Sequence, residues 1–205
     1  MIRSSLIYLA SRSPRRRELL RQIGITFEVV SLREALQRSV DVDETPRPGE
    51  SPEDYVLRVT RDKARTAVSI LRNRRLAMRP VLAADTTVVC GDTILGKPAD
   101  TTDAARMLGL LAGRPHRVLT AVAVAGDGEV ATRVSESQVW FRALDDGEIR
   151  RYVATGESVD KAGAYAVQGR AAAFITRIEG SYSSIMGLPL AETAELLRSH
   201  GIIVP

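Results

Sequence analysis

Apolar positions change their spacing along this chain, and each change marks an element. Leu6–Ala10 is a short apolar run that reads as a strand, followed by Ser13 and Pro14, an N-cap and a proline suited to the first helical position. A helix is predicted over 14–23, closed by Gly24, with a second strand over Thr26–Val30. Residues 31–50 follow neither period and end in the turn-rich TPRPGES. A long amphipathic helix, SPEDYVLRVTRDKARTAVSILR, places Val56, Val59, Lys63, Ala67 and Ile70 along one stripe.

RPVLAADTTVVC is an apolar strand, a turn follows at Gly91 and Asp92, and TILG is a short strand leading to Lys97. TTDAARMLGLLAG is a helix closed by Gly113. HRVLTAVAVAGDGEVATRVSESQVWFRAL reads as two strands of an antiparallel hairpin around Gly126, Asp127 and Gly128. DDGEIRRYVATGE is predicted helical, DKAGAYAVQG a loop, AAAFITRIEG a strand and LPLAETAELLRSHG a terminal helix. Alternating helices and strands without internal repeats predict an α/β protein with a mixed sheet, in two lobes with a cleft between them.

Composition narrows the class. With 205 residues, 44% of them hydrophobic, the chain supports one sizeable core or two lobes sharing one. No segment has the length and apolarity of a membrane span or a signal sequence, so a soluble cytoplasmic protein is expected. A single cysteine, Cys90, excludes an internal disulfide framework, and two histidines, His116 and His200, leave no Cys/His zinc constellation. Any metal would be a hard cation on carboxylates. The net charge of +4 favours an anionic partner.

The kind of charge is more telling than its amount. Of the 29 cationic residues only Lys63, Lys97 and Lys161 are lysine, which marks them as places where a compact ammonium is preferred to a planar fork. The helix opening SPRRREL carries Arg15, Arg16 and Arg17 in a first turn whose dipole favours acids. The helix opening SPEDYVL starts the same way and carries Glu53 and Asp54 there, so the arginine turn is specific to the first helix. Ser11, Ser13, Arg15 and Arg16 stand where a strand runs into a helix, a geometry that binds phosphate, and the added arginines suit a polyphosphate.

Asp85, in the middle of the apolar run VLAADTTVV, is a carboxylate costly to bury unless it is paired, ligating or working, and is the candidate metal ligand or general base. Asp43 and Glu44 could share a divalent ion with it. Lys63 falls on the inner stripe of its helix, Lys97 follows a strand directly, and Gln168 could read a base edge through its paired donor and acceptor. Cys90, Trp140 and both histidines are assigned no chemistry. Cations and carboxylates without an obvious protein nucleophile suit metal-assisted attack by water on a phosphoanhydride.

The ordered series LASRSPRRRELL, VDETP, RDKA, AADTTVV, LGKPAD, MLGLLAGRPHRVLTAV, DKAGAYAVQG and GLPL resembles the Maf family of nucleoside triphosphate pyrophosphatases, from about Leu6 to Ile203. The resemblance implies a single Maf-like domain over 1–205, a two-lobed fold related to that of inosine triphosphate pyrophosphatases, a divalent cation (Mg²⁺, Mn²⁺ or Co²⁺) and a homodimer. It also implies hydrolysis of a nucleoside triphosphate to monophosphate and pyrophosphate, so that a nucleotide rather than nucleic acid is the expected partner.

By the same resemblance Asp85 is the proton acceptor, Ser13, Arg15, Arg16, Lys63 and Lys97 hold phosphates, and Glu44 with Asp43 forms the acidic pair. Arg15, Thr86 and Gln168 stand at the positions of substrate choice. The family branch that prefers 7-methylguanosine triphosphate resembles SPWRR, SDQV and an SEG-type ending at these three places, where this chain has SPRRR, ADTTV and VQG, so the dTTP/UTP branch is expected. Arg17 matches no motif position and is expected to be dispensable. The 31–42 segment is longer than the family's usual link. The alternatives are a 7-methylguanosine triphosphate pyrophosphatase and a non-catalytic nucleotide- or nucleic-acid-binding regulator of septum formation.

Overall fold

The computed structural model describes residues 6–32, 42–126, 128 and 130–204. The extended 31–42 segment therefore lies mostly outside the described residues, as does Asp127 of the expected Gly126–Gly128 turn. The elements run β1 (Leu6–Leu9), α1 (Pro14–Gln22), β2 (Thr26–Val29), α2 (Pro52–Asn73), β3 (Val81–Cys90), β4 (Thr93–Leu95), α3 (Thr101–Leu111), β5 (Pro115–Ala125) and β6 (Val130–Phe141). After β6 come α4 (Asp146–Ala154), 3₁₀ turns at Ala162–Ala164 and Arg170–Phe174, β7 (Ile175–Glu179), α5 (Tyr182–Met186) and α6 (Leu190–Ser199). The strands form a seven-stranded mixed sheet in the order β2-β1-β3-β5-β6-β7, with β4 paired to β3. The α/β class expected from the alternating periods is the class observed.

Two compact units divide the chain. The first comprises the residues up to Asp85, Thr120–Ser135 and the segment from Gly187 onward. In it β1 pairs in parallel with β2 (Tyr8 opposite Glu28) and with β3 (Tyr8 opposite Val81). α2 lays Ala64, Ala67, Val68 and Leu71 against Tyr8, Val81, Ala83, Ala123 and Ala125. Alanines on both sides let the helix approach the strands closely. The helix begins where its chemistry dictates: Pro52 occupies the first turn, the Ser51 hydroxyl accepts from the Asp54 N–H, and Glu53 and Asp54 face the positive dipole end.

The second unit comprises Thr86–Leu119 and Glu136–Met186. β4 folds back on β3 in antiparallel register, with Val88 opposite Leu95. The core gathers Met107, Leu108 and Leu111 of α3, Ile149, Tyr152 and Val153 of α4, and a ring cluster of Phe141, Tyr152, Tyr165 and Phe174. His116 is part of that core, 2% exposed, with its rings edge-on to Phe141 and Tyr165. Burial pushes its imidazole down to about 4.

The structure differs from the predicted elements in three places. AAAFITRIEG is expected to be one strand, but Arg170–Phe174 is a 3₁₀ turn and the strand begins at Ile175. The Glu157 carboxylate accepts the backbone N–H groups of Arg170 and Ala171, at 3.0 and 3.3 Å, and so caps a helical turn where three alanines offer little side chain to a sheet. The DKAGAY loop contains the other 3₁₀ turn, and the short helix α5 was not predicted. Its start has a local cause, the Ser184 N–H donating to the Ser181 hydroxyl at 3.2 Å.

Candidate active site

β3 carries Asp85 inside a stretch in which Val81 to Asp85 are all buried, as its apolar surroundings in sequence require. At 9% exposure the carboxylate needs a cation, and Lys63 of α2 supplies it: its Nζ donates to Asp85 Oδ1 at 2.6 Å. The same ammonium lies 2.8 Å from Glu44 Oε1. Lys63 thus bridges the two carboxylates. The side chains of Lys63 and Asp85 are each 13% exposed and that of Glu44 44%, so the group is buried at one end and open to solvent at the other. The inward placement expected from the stripe of α2 is what makes this bridge possible, since Tyr55, Val59 and Lys63 follow one another at i, i+4 and i+8 on one face.

The turn from β1 into α1 adds cations and hydroxyls. Ser13 is the N-cap residue but its hydroxyl makes no capping bond, unlike that of Ser51 on α2. Its N–H donates instead to the Ser11 hydroxyl, at 3.2 Å. Arg16 donates through Nη1 to the same hydroxyl at 3.2 Å and through Nε to the Gly187 carbonyl at 2.7 Å. Burial pushes the Arg16 guanidinium down from its ordinary value and neighbouring Arg15 adds to this, while Asp85 and Glu44 oppose it. Burial and then Asp85 and Glu44 also push the Tyr55 phenol up. Both shifts record that these carboxylates share one electrostatic environment with Arg16 and Tyr55.

Ser11, Ser13, Arg15, Arg16, Glu44, Lys63 and Asp85 are therefore all in the first unit, with Ser11, Arg16, Lys63, Glu44 and Asp85 linked by direct bonds or by charge. Asp43 stays apart from them: it is exposed, and its Oδ1 accepts from the Thr45 N–H at 2.9 Å in a local turn. Lys97, just after β4, and Gln168 are exposed residues of the second unit, and Thr86 follows Asp85 on β3. Arg17, expected to be dispensable, donates through Nη2 to the Arg12 carbonyl at 2.6 Å and braces the turn in which Ser11 and Ser13 lie.

Reasoning from sequence missed three residues that shape these segments. Tyr55 and Arg58 of α2 bond the backbone beside Glu44, and an arginine in a helix of an arginine-rich chain carries no local signal. Glu157 carries no local signal of its capping role because the N–H groups it accepts lie more than ten residues downstream; its pairing with the Arg170 N–H shapes the chain immediately after Gln168.

Among the described residues no group of three or more histidine, cysteine, aspartate or glutamate side chains is placed to hold a metal ion. Asp85 and Glu44 do converge on one cation, the Lys63 ammonium. Two convergent carboxylates fit a hard divalent ion of the kind that takes one or two protein oxygens and completes its shell from substrate phosphates and water. Among the described residues no helix is long and apolar enough to cross a membrane.

Known proteins bear on this arrangement. The family model described as Maf-like protein matches residues 6–200. The dTTP/UTP pyrophosphatase of Aromatoleum aromaticum is 58% identical over 196 residues, covering 95% of each chain. That of Nitrosomonas europaea is 54% identical over 198 residues, covering 97% of this chain and 96% of the relative. The solved Ham1 protein of Staphylococcus aureus matches 66% of this chain and 71% of its own, with 17% identity and a TM-score of 0.45. The matched span begins at β1, takes in the arginine turn, Glu44, Lys63 and Asp85, and continues through α6; the chain belongs to the Maf family.

Proposed function

We propose that this protein hydrolyses dTTP and UTP to the nucleoside monophosphate and pyrophosphate. The observation that carries the reading is the buried Asp85 carboxylate, held at 2.6 Å by Lys63 within a group that also contains Glu44 and Arg16, in a chain whose relatives at 54–58% identity bear the name dTTP/UTP pyrophosphatase.

In the reaction water attacks the α-phosphorus, a new P–O bond forms, and the bond to the oxygen bridging the α- and β-phosphorus breaks. Asp85 accepts the proton of the attacking water, and pyrophosphate leaves with the bond's electron pair. Arg15 and Arg16, with Ser11 and Ser13, take the phosphate oxygens at the start of α1, and Lys63 and Lys97 add ammonium donors. Arg16 is fixed for this by Gly187 and Ser11, so less side-chain freedom is lost when substrate binds. Glu44 and Asp85 would hold the divalent cation; when bound, that ion neutralises phosphate charge and polarises the reacting phosphorus. Arg15, Thr86 and Gln168 are the residues we assign to choice of base. The family resemblance adds a homodimer in the cytoplasm as the working form.

The test is a panel of purified triphosphates, including 7-methylguanosine triphosphate, incubated with Mg²⁺ or Mn²⁺ while pyrophosphate and orthophosphate are measured separately. Pyrophosphate release from dTTP and UTP above the rest is expected. Release of orthophosphate, preference for 7-methylguanosine triphosphate, or no turnover of any pyrimidine triphosphate overturns the proposal.

A further inference from the structure

Glu44 sits in an irregular segment, yet its carboxylate meets a partner fixed on a helix. What fixes the segment is a pair of side chains on α2. Arg58 donates through Nη1 to the Asp43 carbonyl at 2.9 Å and through Nη2 to the Thr45 carbonyl at 3.0 Å. The Tyr55 hydroxyl donates to the carbonyl between them, that of Glu44, at 3.0 Å. Three consecutive carbonyls are thereby tied to the helix that also carries Lys63.

The guanidinium is itself held. Its Nε and Nη2 form a fork on the Glu50 carboxylate at 2.6 and 2.9 Å, and its Cζ lies 5.6 Å from the Tyr55 ring centre. Glu50 also accepts the Arg47 N–H at 3.0 Å, closing the turn around Gly49, whose φ of +74° a side chain would strain. One planar fork thus reaches Asp43, Thr45 and Glu50 together, which a lysine ammonium on a single point cannot reproduce.

We propose that Arg58, seconded by Tyr55, is a positioning residue that sets the Glu44 carboxylate against Lys63 and Asp85, and through it the affinity of the site for its divalent cation. The inference rests on Glu44 being a ligand of that cation, as proposed above.

The experiment measures Mn²⁺ affinity by electron paramagnetic resonance, with α,β-imido-dTTP present, for the wild type, Glu44→Gln, Arg58→Lys, Tyr55→Phe and the double variant Glu44→Gln/Arg58→Lys. Arg58→Lys is expected to weaken Mn²⁺ about tenfold and Tyr55→Phe about threefold, while affinity for the imido nucleotide without metal stays within about twofold of wild type. In the Glu44→Gln background Arg58→Lys should have no further effect, because its influence passes through Glu44. A merely structural role would lower the melting temperature and leave that non-additivity absent.

Unchanged Mn²⁺ affinity in Arg58→Lys, or the same loss with and without Glu44, overturns the inference alone. Unchanged affinity in Glu44→Gln overturns both the ligand assignment and the inference. If Arg58→Lys does not fold, Tyr55→Phe, which removes only a hydroxyl, decides: its full affinity for Mn²⁺ would refute the clamp.

Discussion

Replacing Lys63 with methionine removes one charge and keeps the length of the stem. It leaves Asp85, 9% exposed, and Glu44 facing each other without the ammonium that now lies 2.6 and 2.8 Å away. Breaking a buried ion pair by deleting one partner costs about 3–5 kcal/mol. The Glu44 leg is 44% exposed, so solvent screens it and it belongs in the range of about 0–1 kcal/mol typical of surface pairs. The Asp85 leg dominates, at the lower end of the buried range because the side chain keeps 13% exposure. The expected loss is about 3 kcal/mol, or roughly 6–12 °C in Tm for a chain of this size.

Urea denaturation of Lys63→Met and Lys63→Arg beside the wild type, with pyrophosphate release from dTTP assayed on the same samples, separates charge from shape. The arginine variant keeps a cation but must fit a larger group where the lysine side chain is 13% exposed, which costs about 1–3 kcal/mol by overpacking. Its turnover should nonetheless fall about as far as that of the methionine variant, roughly 10²-fold, the effect of losing one well-placed donor to developing charge. A loss below 1 kcal/mol in Lys63→Met would refute the buried-pair reading. Near-normal turnover in Lys63→Arg would refute the requirement for a compact ammonium.

Asp85→Asn should lower kcat by about 10²–10⁴, the usual worth of a general base, and leave binding of the imido nucleotide measurable; equal loss of both would make the residue a substrate holder. Gly163→Ala should destabilise by about 2–4 kcal/mol in denaturant titration, because at φ +66° its Cβ would stand 2.9–3.0 Å from Val88 side-chain atoms; adding Val88→Ala should recover the packing part, and no recovery would show that backbone strain alone is responsible. Stability followed from pH 7.5 to 4 should fall as His116 is asked to take a proton. The unfolded imidazole binds it near 6.5 and the folded one only near 4, so the stabilisation is complete above 6.5 and lost as the pH falls to about 4. A difference of about 2.5 pH at about 1.4 kcal/mol each is about 3 kcal/mol, and a curve unchanged in His116→Phe would refute this source.

What the sequence made legible was local. The Ser-Pro starts of α1 and α2, the apolar run around Asp85 and the inward stripe bearing Lys63 depend on neighbours within a few residues, and all are found in the structure. What it hid depends on partners far along the chain. Arg16 reads from the sequence as a phosphate-binding residue, and the structure adds a bond from its Nε to the carbonyl of Gly187, a partner 171 residues away that no periodicity announces. Asp43 and Glu44 are adjacent and read alike in the sequence, but the Asp43 carboxylate accepts from its own Thr45 N–H while that of Glu44 meets Lys63. Glu157 ends the expected strand at Arg170–Phe174 for the same reason of range.

The three arginines of SPRRREL now separate by what each meets. Arg17 is tied to the Arg12 carbonyl, and Arg16 to Gly187 and Ser11 while lying in the field of Asp85 and Glu44. Within the described group the charges of Arg16 and Lys63 stand against those of Asp85 and Glu44, so the site by itself is close to neutral and has no surplus with which to hold a polyphosphate. The surplus must come from outside that quartet. Arg15 at the start of α1 and Lys97 after β4 supply part of it in the proposed reaction, and the divalent cation the rest. On the proposed function, carboxylates are tolerated beside a polyphosphate because their charge would bind the divalent ion, and the ion's charge would then bind the phosphate. An enzyme built this way should gain affinity for nucleotide when metal is added, whereas a site of arginines alone would lose it as the metal screened the phosphates.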